Sequence, residues 1–140
     1  MGLITPMAKI PAGVNELRAS HIKLNSAAKA NQGPPAHLLL FYAAECGLKY
    51  AQLKRMRLWT TEQLGDIDHD LNALIKSLSV PAIVLGSAPV LRLARGQNVP
   101  CPHSSAHQAW RYGVRIDADD EAKFVTWLQR ICEVVGKDYL

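Results

Sequence analysis

Residues 38–56, LLLFYAAECGLKYAQLKRM, decide the fold that this sequence predicts. They are apolar or small on almost every side of a helix, and Glu45, Lys49 and Gln52 form a polar strip along it. The i, i+4, i+7 spacing of these three keeps them on one side. Gly47 costs about 1 kcal/mol in a helix interior, so a neighbour is expected to pack closely against it. A helix this apolar is surrounded by other helices, which predicts an all-α core around it.

Three further amphipathic helices are predicted around this central one. Each follows a residue whose side chain can accept hydrogen bonds from the free N–H groups of a first helical turn. The predicted N-caps are Asn15 for the first helix, Asp66 or Asp68 for the third, and Asp117 for the last. The apolar stripe of the first helix contains His21, which is predicted to be a core histidine. The last helix is expected to run close to Gly136 and to pack on the central helix.

Residues 81–116 interrupt this helical pattern. Their prolines exclude a long helix. Residues 82–85 and 90–94 flank a Gly-Ser-Ala-Pro turn, which favours a small hairpin. Residues 110–116 alternate apolar and polar, which predicts a strand with Trp110 and Tyr112 inward and Arg111 and Arg115 outward. A helix there is the weaker alternative, because Gly113 interrupts it.

Together these patterns predict one mainly all-α domain over residues 1–140. It is an up-and-down bundle of four to five helices, with residues 1–13 loose and residues 81–116 forming an irregular proline-rich loop or hairpin before the last helix. The 49% hydrophobic and 20% charged content is ordinary for a globular protein.

The sequence also indicates a compartment. No apolar run reaches the roughly 18 residues of a membrane span, and the first residues lack a secretory signal. Cys46, Cys101 and Cys132 are an odd number and widely spaced, which suits reduced thiols better than disulfides. A cytoplasmic protein without a membrane partner is therefore predicted.

Charge is segregated along the chain. Residues 71–116 contain no acid, although the net charge of the whole chain is only +4. Their arginines are Arg92, Arg95, Arg111 and Arg115. Segregated positive charge favours an anionic partner such as RNA, and these arginines are predicted to contact phosphate groups. The alternative is a solvated basic surface with no ligand.

Three segments resemble the HEPN superfamily, the helical nucleotide- and RNA-related domains of prokaryotic toxin–antitoxin and defence systems. FYAAECGLKYAQLKR (residues 41–55) is similar to the second helix of the family, in which an aromatic residue precedes Ala-x-Glu-x-x-Leu-Lys. HDLNALIKSL (residues 69–78) is similar to its His-Asp-Leu helix start, and Trp-Arg-Tyr at 110–112 to its closing segment. The family-motif residues are Glu45, Lys49, His69 and Asp70.

The resemblance implies a metal-independent ribonuclease or a non-catalytic relative, acting as a homodimer. HEPN ribonucleases carry an Arg, four to six intervening residues and then a His. Here seven residues separate Arg95 from His103, and eleven separate it from His107, so the motif is absent as written. These three residues are the catalytic candidates, and whether the chain is an enzyme stays open.

Two functions of different class follow. The first is binding or cleavage of RNA in a toxin or antiphage system. The second is a helical assembly subunit that docks on a partner protein from the same locus. Cys101, His103 and His107 are three possible metal ligands within seven residues, but a tetrahedral zinc site needs a fourth ligand. Neither a metal nor a cofactor is predicted.

Overall fold

Residues 33–56 form the longest helix. The computed structural model describes residues 10–65, 69–78, 85–94 and 99–140. Within these ranges it contains α1 (Val14–Lys29), α2 (Gly33–Met56), α3 (Leu71–Ser77), α4 (Ala106–Tyr112) and α5 (Ala118–Asp138). Short 3₁₀ turns span Thr61–Leu64 and His103–Ser105, and β1 (Leu91–Arg92) pairs antiparallel with β2 (Pro100–Cys101). The prediction of a mainly helical fold is confirmed.

Helix α2 is the centre of the core, as its composition predicted. Pro34 and Pro35 stand in its first turn, where a missing N–H loses no helical hydrogen bond. Arg57 ends it in the left-handed region, with φ of 55°. Its fully buried side chains include those of Phe41 and Leu48. The other helices bury their apolar faces against this helix and against each other.

Helix α1 packs along α2 at the two positions singled out in the sequence. The His21 side chain is buried, and its Nδ1–H donates to the Ala43 carbonyl at 2.7 Å. A Cβ added to Gly47 would lie 2.6 Å from that Nδ1 atom. The predictions of a core histidine and of close packing at Gly47 are therefore confirmed.

The start of α1 differs from the prediction, because Gly13 and not Asn15 is the N-cap. Gly13 forms an isolated antiparallel bridge with Thr60, beyond the end of α2. This bridge holds Gly13 extended, and the Glu16 carboxylate accepts its N–H at 2.9 Å. Asn15 consequently lies inside the first turn and cannot cap it.

Helix α3 also begins later than predicted. Its N-cap is Asp70, whose carboxylate accepts the Ala73 N–H at 3.0 Å, so the caps predicted at Asp66 or Asp68 are wrong. Both of those residues lie outside the described residues. His69 is in the left-handed region with φ of 49°, and this turn prevents a helix from beginning earlier.

Residues 106–112 are helical, so the predicted strand over residues 110–116 is wrong. Trp110 is buried as predicted, whereas Tyr112 points outward and is 71% exposed. Gly113 ends the helix with φ of 74°, which glycine adopts without strain. Because Gly113 follows the last turn of α4, it ends this helix and does not interrupt it.

β1 pairs with a later segment of the chain. It is antiparallel to β2, with Leu91 opposite Cys101. Residues 82–84 of the predicted hairpin lie outside the described residues. Leu93 forms an isolated bridge with Ile116, which joins this small sheet to the residues before α5.

Helix α5 begins and ends close to the predicted positions. The Asp117 carboxylate accepts the Asp120 N–H at 3.1 Å, which confirms it as the N-cap. Phe124, Leu128 and Ile131 are fully buried on the face that packs on α2.

No helix in the described part of the chain combines the length and the apolarity needed to cross a bilayer.

Candidate active site

Ionisable side chains from three segments meet on one side of α2. The segments are α2 itself, the two residues before α3, and the stretch that runs from the second 3₁₀ turn into α4. We call this group the histidine cluster: Glu45, His69, Asp70, His103 and His107. All five were named from the sequence: three are family-motif residues and two are catalytic candidates.

Glu45 and His69 form the best-defined pair of the cluster. The Glu45 side chain is 7% exposed, and its carboxylate accepts hydrogen bonds from Lys49 Nζ and His69 Nδ1, each at 2.9 Å. Because a carboxylate can only accept, the Nδ1 atom of His69 carries the hydrogen. The Nε2 atom of neutral His69 is then a proton acceptor on a ring whose orientation Glu45 fixes.

The backbone of His69 is itself unusual. Its φ of 49° lies in the left-handed region, which residues other than glycine seldom adopt. The same turn lets the next residue, Asp70, cap α3. His69 therefore stands at a sharp junction with its side chain 41% exposed. Strained residues of this kind cluster at functional sites.

His107 lies beneath His69. It is only 3% exposed, and its ring centroid is 4.3 Å from that of His69 and 5.2 Å from that of Phe41. Burial lowers the pKa of His107, and the charges of His69 and Arg111 lower it further. His107 is therefore neutral at neutral pH, which avoids repulsion when the adjacent His69 ring takes up a proton.

His103 and Asp70 join the cluster to the start of α3. His103 Nε2 lies 3.4 Å from Asp70 Oδ1, the same oxygen that accepts the Ala73 N–H. Burial lowers the pKa of His103, although the negative charge of Asp70 acts in the opposite direction. His103 thus connects the turn before α4 to the cap of α3.

A positive charge lies at the edge of the cluster. Arg111 follows His107 by one helical turn, and its guanidinium donates to the Tyr42 hydroxyl. The Tyr42 ring is 5.9 Å from the His107 ring. Arg111 is exposed, so it can bind an anion beside the imidazoles.

The other predicted phosphate-binding arginines have other positions. Arg92 pairs with Asp120, from its Nε atom at 3.1 Å and from its backbone N–H at 3.1 Å. This hydrogen bonding holds the pKa of Asp120 below its ordinary value. Arg115 is exposed on the segment between α4 and α5. The prediction for Arg95 falls outside the described residues.

Sequence reasoning missed Tyr42 and the common face of His107 and Arg111. These two residues are spaced i, i+4 on α4, which is a helical spacing. The prediction of a strand over residues 110–116 hid that pattern.

Within the described ranges, no group of three or more His, Cys, Asp or Glu side chains is arranged to hold a metal ion.

Comparisons with known proteins identify no relative. No family model, no curated protein and no solved structure matches the chain.

The lowered pKa values of His103 and His107 predict a pH-dependent stability. Both lie below the ordinary value of 6.5, so at acidic pH the unfolded chain binds protons that the folded chain does not. The free energy of unfolding should therefore fall as the pH drops from about 6.5 towards 5. In thermal unfolding across this range, stability should fall less steeply with decreasing pH in a His103→Gln/His107→Gln variant than in the wild type. Equal pH dependence in the two proteins would contradict the prediction.

Proposed function

We propose that the chain is a HEPN-like protein that cleaves RNA at the histidine cluster without a metal ion. The observation that carries the proposal is the hydrogen bond between Glu45 and His69, with the neutral His107 ring packed against the His69 ring. A carboxylate that orients an exposed histidine is the arrangement of a general base. The resemblance of residues 41–55 and 69–78 to the HEPN family supports RNA as the substrate.

The proposed reaction moves one proton through His69. Its Nε2 atom accepts the proton of an RNA 2′-hydroxyl, and the 2′-oxygen forms a bond to the adjacent phosphorus. The bond from phosphorus to the 5′-oxygen breaks, and His69 returns the proton to that oxygen. The products are a 2′,3′-cyclic phosphate and a 5′-hydroxyl end. Glu45 stabilises the imidazolium that forms, as the buried carboxylate does in a serine protease triad.

Arg111 supplies the charge that the reaction needs at the phosphate. The phosphate oxygens gain negative charge as the 2′-oxygen attacks, and a guanidinium beside them stabilises that charge. Lys49 is already bound to Glu45, so Arg111 is the better placed of the two. This role differs from the family arrangement, in which the Arg precedes the His in the sequence.

The biological setting is also part of the proposal. The resemblance supports a toxin or antiphage protein of the cytoplasm that acts as a homodimer on RNA. The three cysteines are free, which suits a reducing compartment.

Docking on a partner protein is the second candidate function. Val90, directly before β1, is 81% exposed, and Tyr112, the last residue of α4, is 71% exposed. Exposed large apolar side chains of this kind are frequent at protein interfaces. A chain that neither binds nor cleaves RNA would favour this function.

Incubation of the full chain with labelled single-stranded RNA in EDTA tests the proposal. We expect cleavage that leaves 2′,3′-cyclic phosphate ends, and no cleavage at a position carrying a 2′-deoxyribose. A Glu45→Gln variant should be slower by about 100-fold, because glutamine lacks the negative charge that stabilises the His69 imidazolium.

Glu62→Gln provides the matched control, because Glu62 is an exposed carboxylate outside the cluster. It should cleave at the wild-type rate. Cleavage of the deoxyribose substrate, or equal rates for the Glu45→Gln and Glu62→Gln variants, would exclude the proposed mechanism.

A further inference from the structure

A groove of about 730 Å³ opens on the other side of α2 from Glu45. It lies between α1 and α5, and the first turns of α2 form its floor. Its volume is within the range of about 300–1,000 Å³ that small-molecule sites occupy. None of the histidine-cluster residues lines it.

The floor of the groove is apolar. Ala36 and Leu40 of α2 are buried there, with Val125 and Cys132 of α5 beside them. Burial raises the pKa of the Cys132 thiol to about 12, so this thiol is protonated and behaves as an apolar group. The floor can therefore cover an apolar side chain of a ligand.

The walls carry two opposite charges and several carboxamides. Lys29 of α1 and Glu133 of α5 line the groove, and both act on the charge state of Cys132 between them. In the ranges that the structure describes, no ion pair joins Lys29 to Glu133. Each charged residue follows a carboxamide by one helical turn, Asn25 on α1 and Gln129 on α5.

We propose that this groove binds a small zwitterion of the amino acid or short peptide class, with an apolar side chain. The ligand carboxylate pairs with Lys29 and its ammonium group pairs with Glu133, since each wall offers one charge. The carboxamides of Asn25 and Gln129 supply both donors and acceptors, which match the amide groups of a peptide. The apolar side chain covers the floor.

This complementarity distinguishes the proposed ligand from others. A purely anionic ligand would face the Glu133 carboxylate, and an uncharged one would form neither ion pair. The site goes beyond the proposed RNA cleavage and does not depend on it, because no histidine-cluster residue contributes to it.

Isothermal titration of the full chain with the dipeptide leucyl-leucine tests the proposal. We expect binding that weakens about tenfold when the dipeptide amine is acetylated, and again when its carboxylate is amidated. The two losses of affinity should come from different residues of the groove. Glu133→Gln should be insensitive to acetylation of the amine, and Lys29→Gln should be insensitive to amidation of the carboxylate.

Lys23→Gln is the matched control, since Lys23 is an exposed lysine of α1 outside the groove. This variant should discriminate between the blocked and free dipeptides as the wild type does. All the substituted side chains are exposed, so the variants should keep the fold. Absence of binding by leucyl-leucine, or equal binding of its blocked forms to the wild type, would overturn the proposal.

Discussion

A His69→Gln chain should cleave RNA about 10²- to 10⁴-fold more slowly than the wild type, which is the range that a general acid–base group contributes. Glutamine can still donate an N–H to the Glu45 carboxylate, so the local structure has a substitute for the hydrogen bond at 2.9 Å. It cannot carry a proton between the 2′-hydroxyl and the leaving oxygen. Single-turnover rates at saturating protein concentration measure the effect on chemistry alone.

The control for this variant is its affinity for RNA that cannot react. Binding to RNA with 2′-deoxyribose at the cleaved position should change little, because Arg111 is unaltered. Added imidazole should restore part of the rate, since it supplies the missing proton acceptor. A His69→Gln chain with the wild-type rate would show that another group transfers the proton.

A Gly47→Ala chain should be less stable than the wild type by about 2 kcal/mol. The added methyl would lie 2.6 Å from His21 Nδ1 and 3.1 Å from Val135 Cγ1. Overpacking of this kind costs about 1–3 kcal/mol, and displacement of His21 loses its bond to the Ala43 carbonyl. The better helix propensity of alanine offsets about 1 kcal/mol of this loss. Urea unfolding monitored by circular dichroism gives the difference.

Gly136→Ala is the matched control for this packing effect. Gly136 is also inside a helix, but a Cβ there would meet nothing within 4 Å. Alanine should therefore stabilise the chain by about 0.5 kcal/mol, through helix propensity alone. If both substitutions changed stability in the same direction, contact between α1 and α2 at Gly47 would not be the cause.

The long elements could be predicted because their patterns extend over many residues. Residues 38–56 repeat an apolar pattern for five turns, and α5 combines a cap at Asp117 with a long stripe. α4 has only two turns, and over seven residues a period of two and a helical period are hard to distinguish. Glycine is unfavourable inside a helix but suits its end. Only the φ of 74° at Gly113 shows that this glycine ends α4.

The candidate site could be predicted only in parts. Glu45, Lys49, His69 and Asp70 came from the family resemblance, and His103 and His107 came from a search for a motif that the chain lacks. Their meeting depends on the packing of α4 against α2, which no local pattern encodes. The same holds for Tyr42, whose hydroxyl matters only because Arg111 reaches it.

The bridge between Gly13 and Thr60 has a consequence for the order of folding. It closes the open end of the α1–α2 hairpin, whose other end is the short connection from Lys29 to Gly33. Contacts within this hairpin are local in sequence, so they form with little loss of loop entropy. Helix α5 must instead be brought to α2 from the far end of the chain. We therefore expect the hairpin to form first and α5 to dock on it, with the histidine cluster assembled only after α4 has joined them.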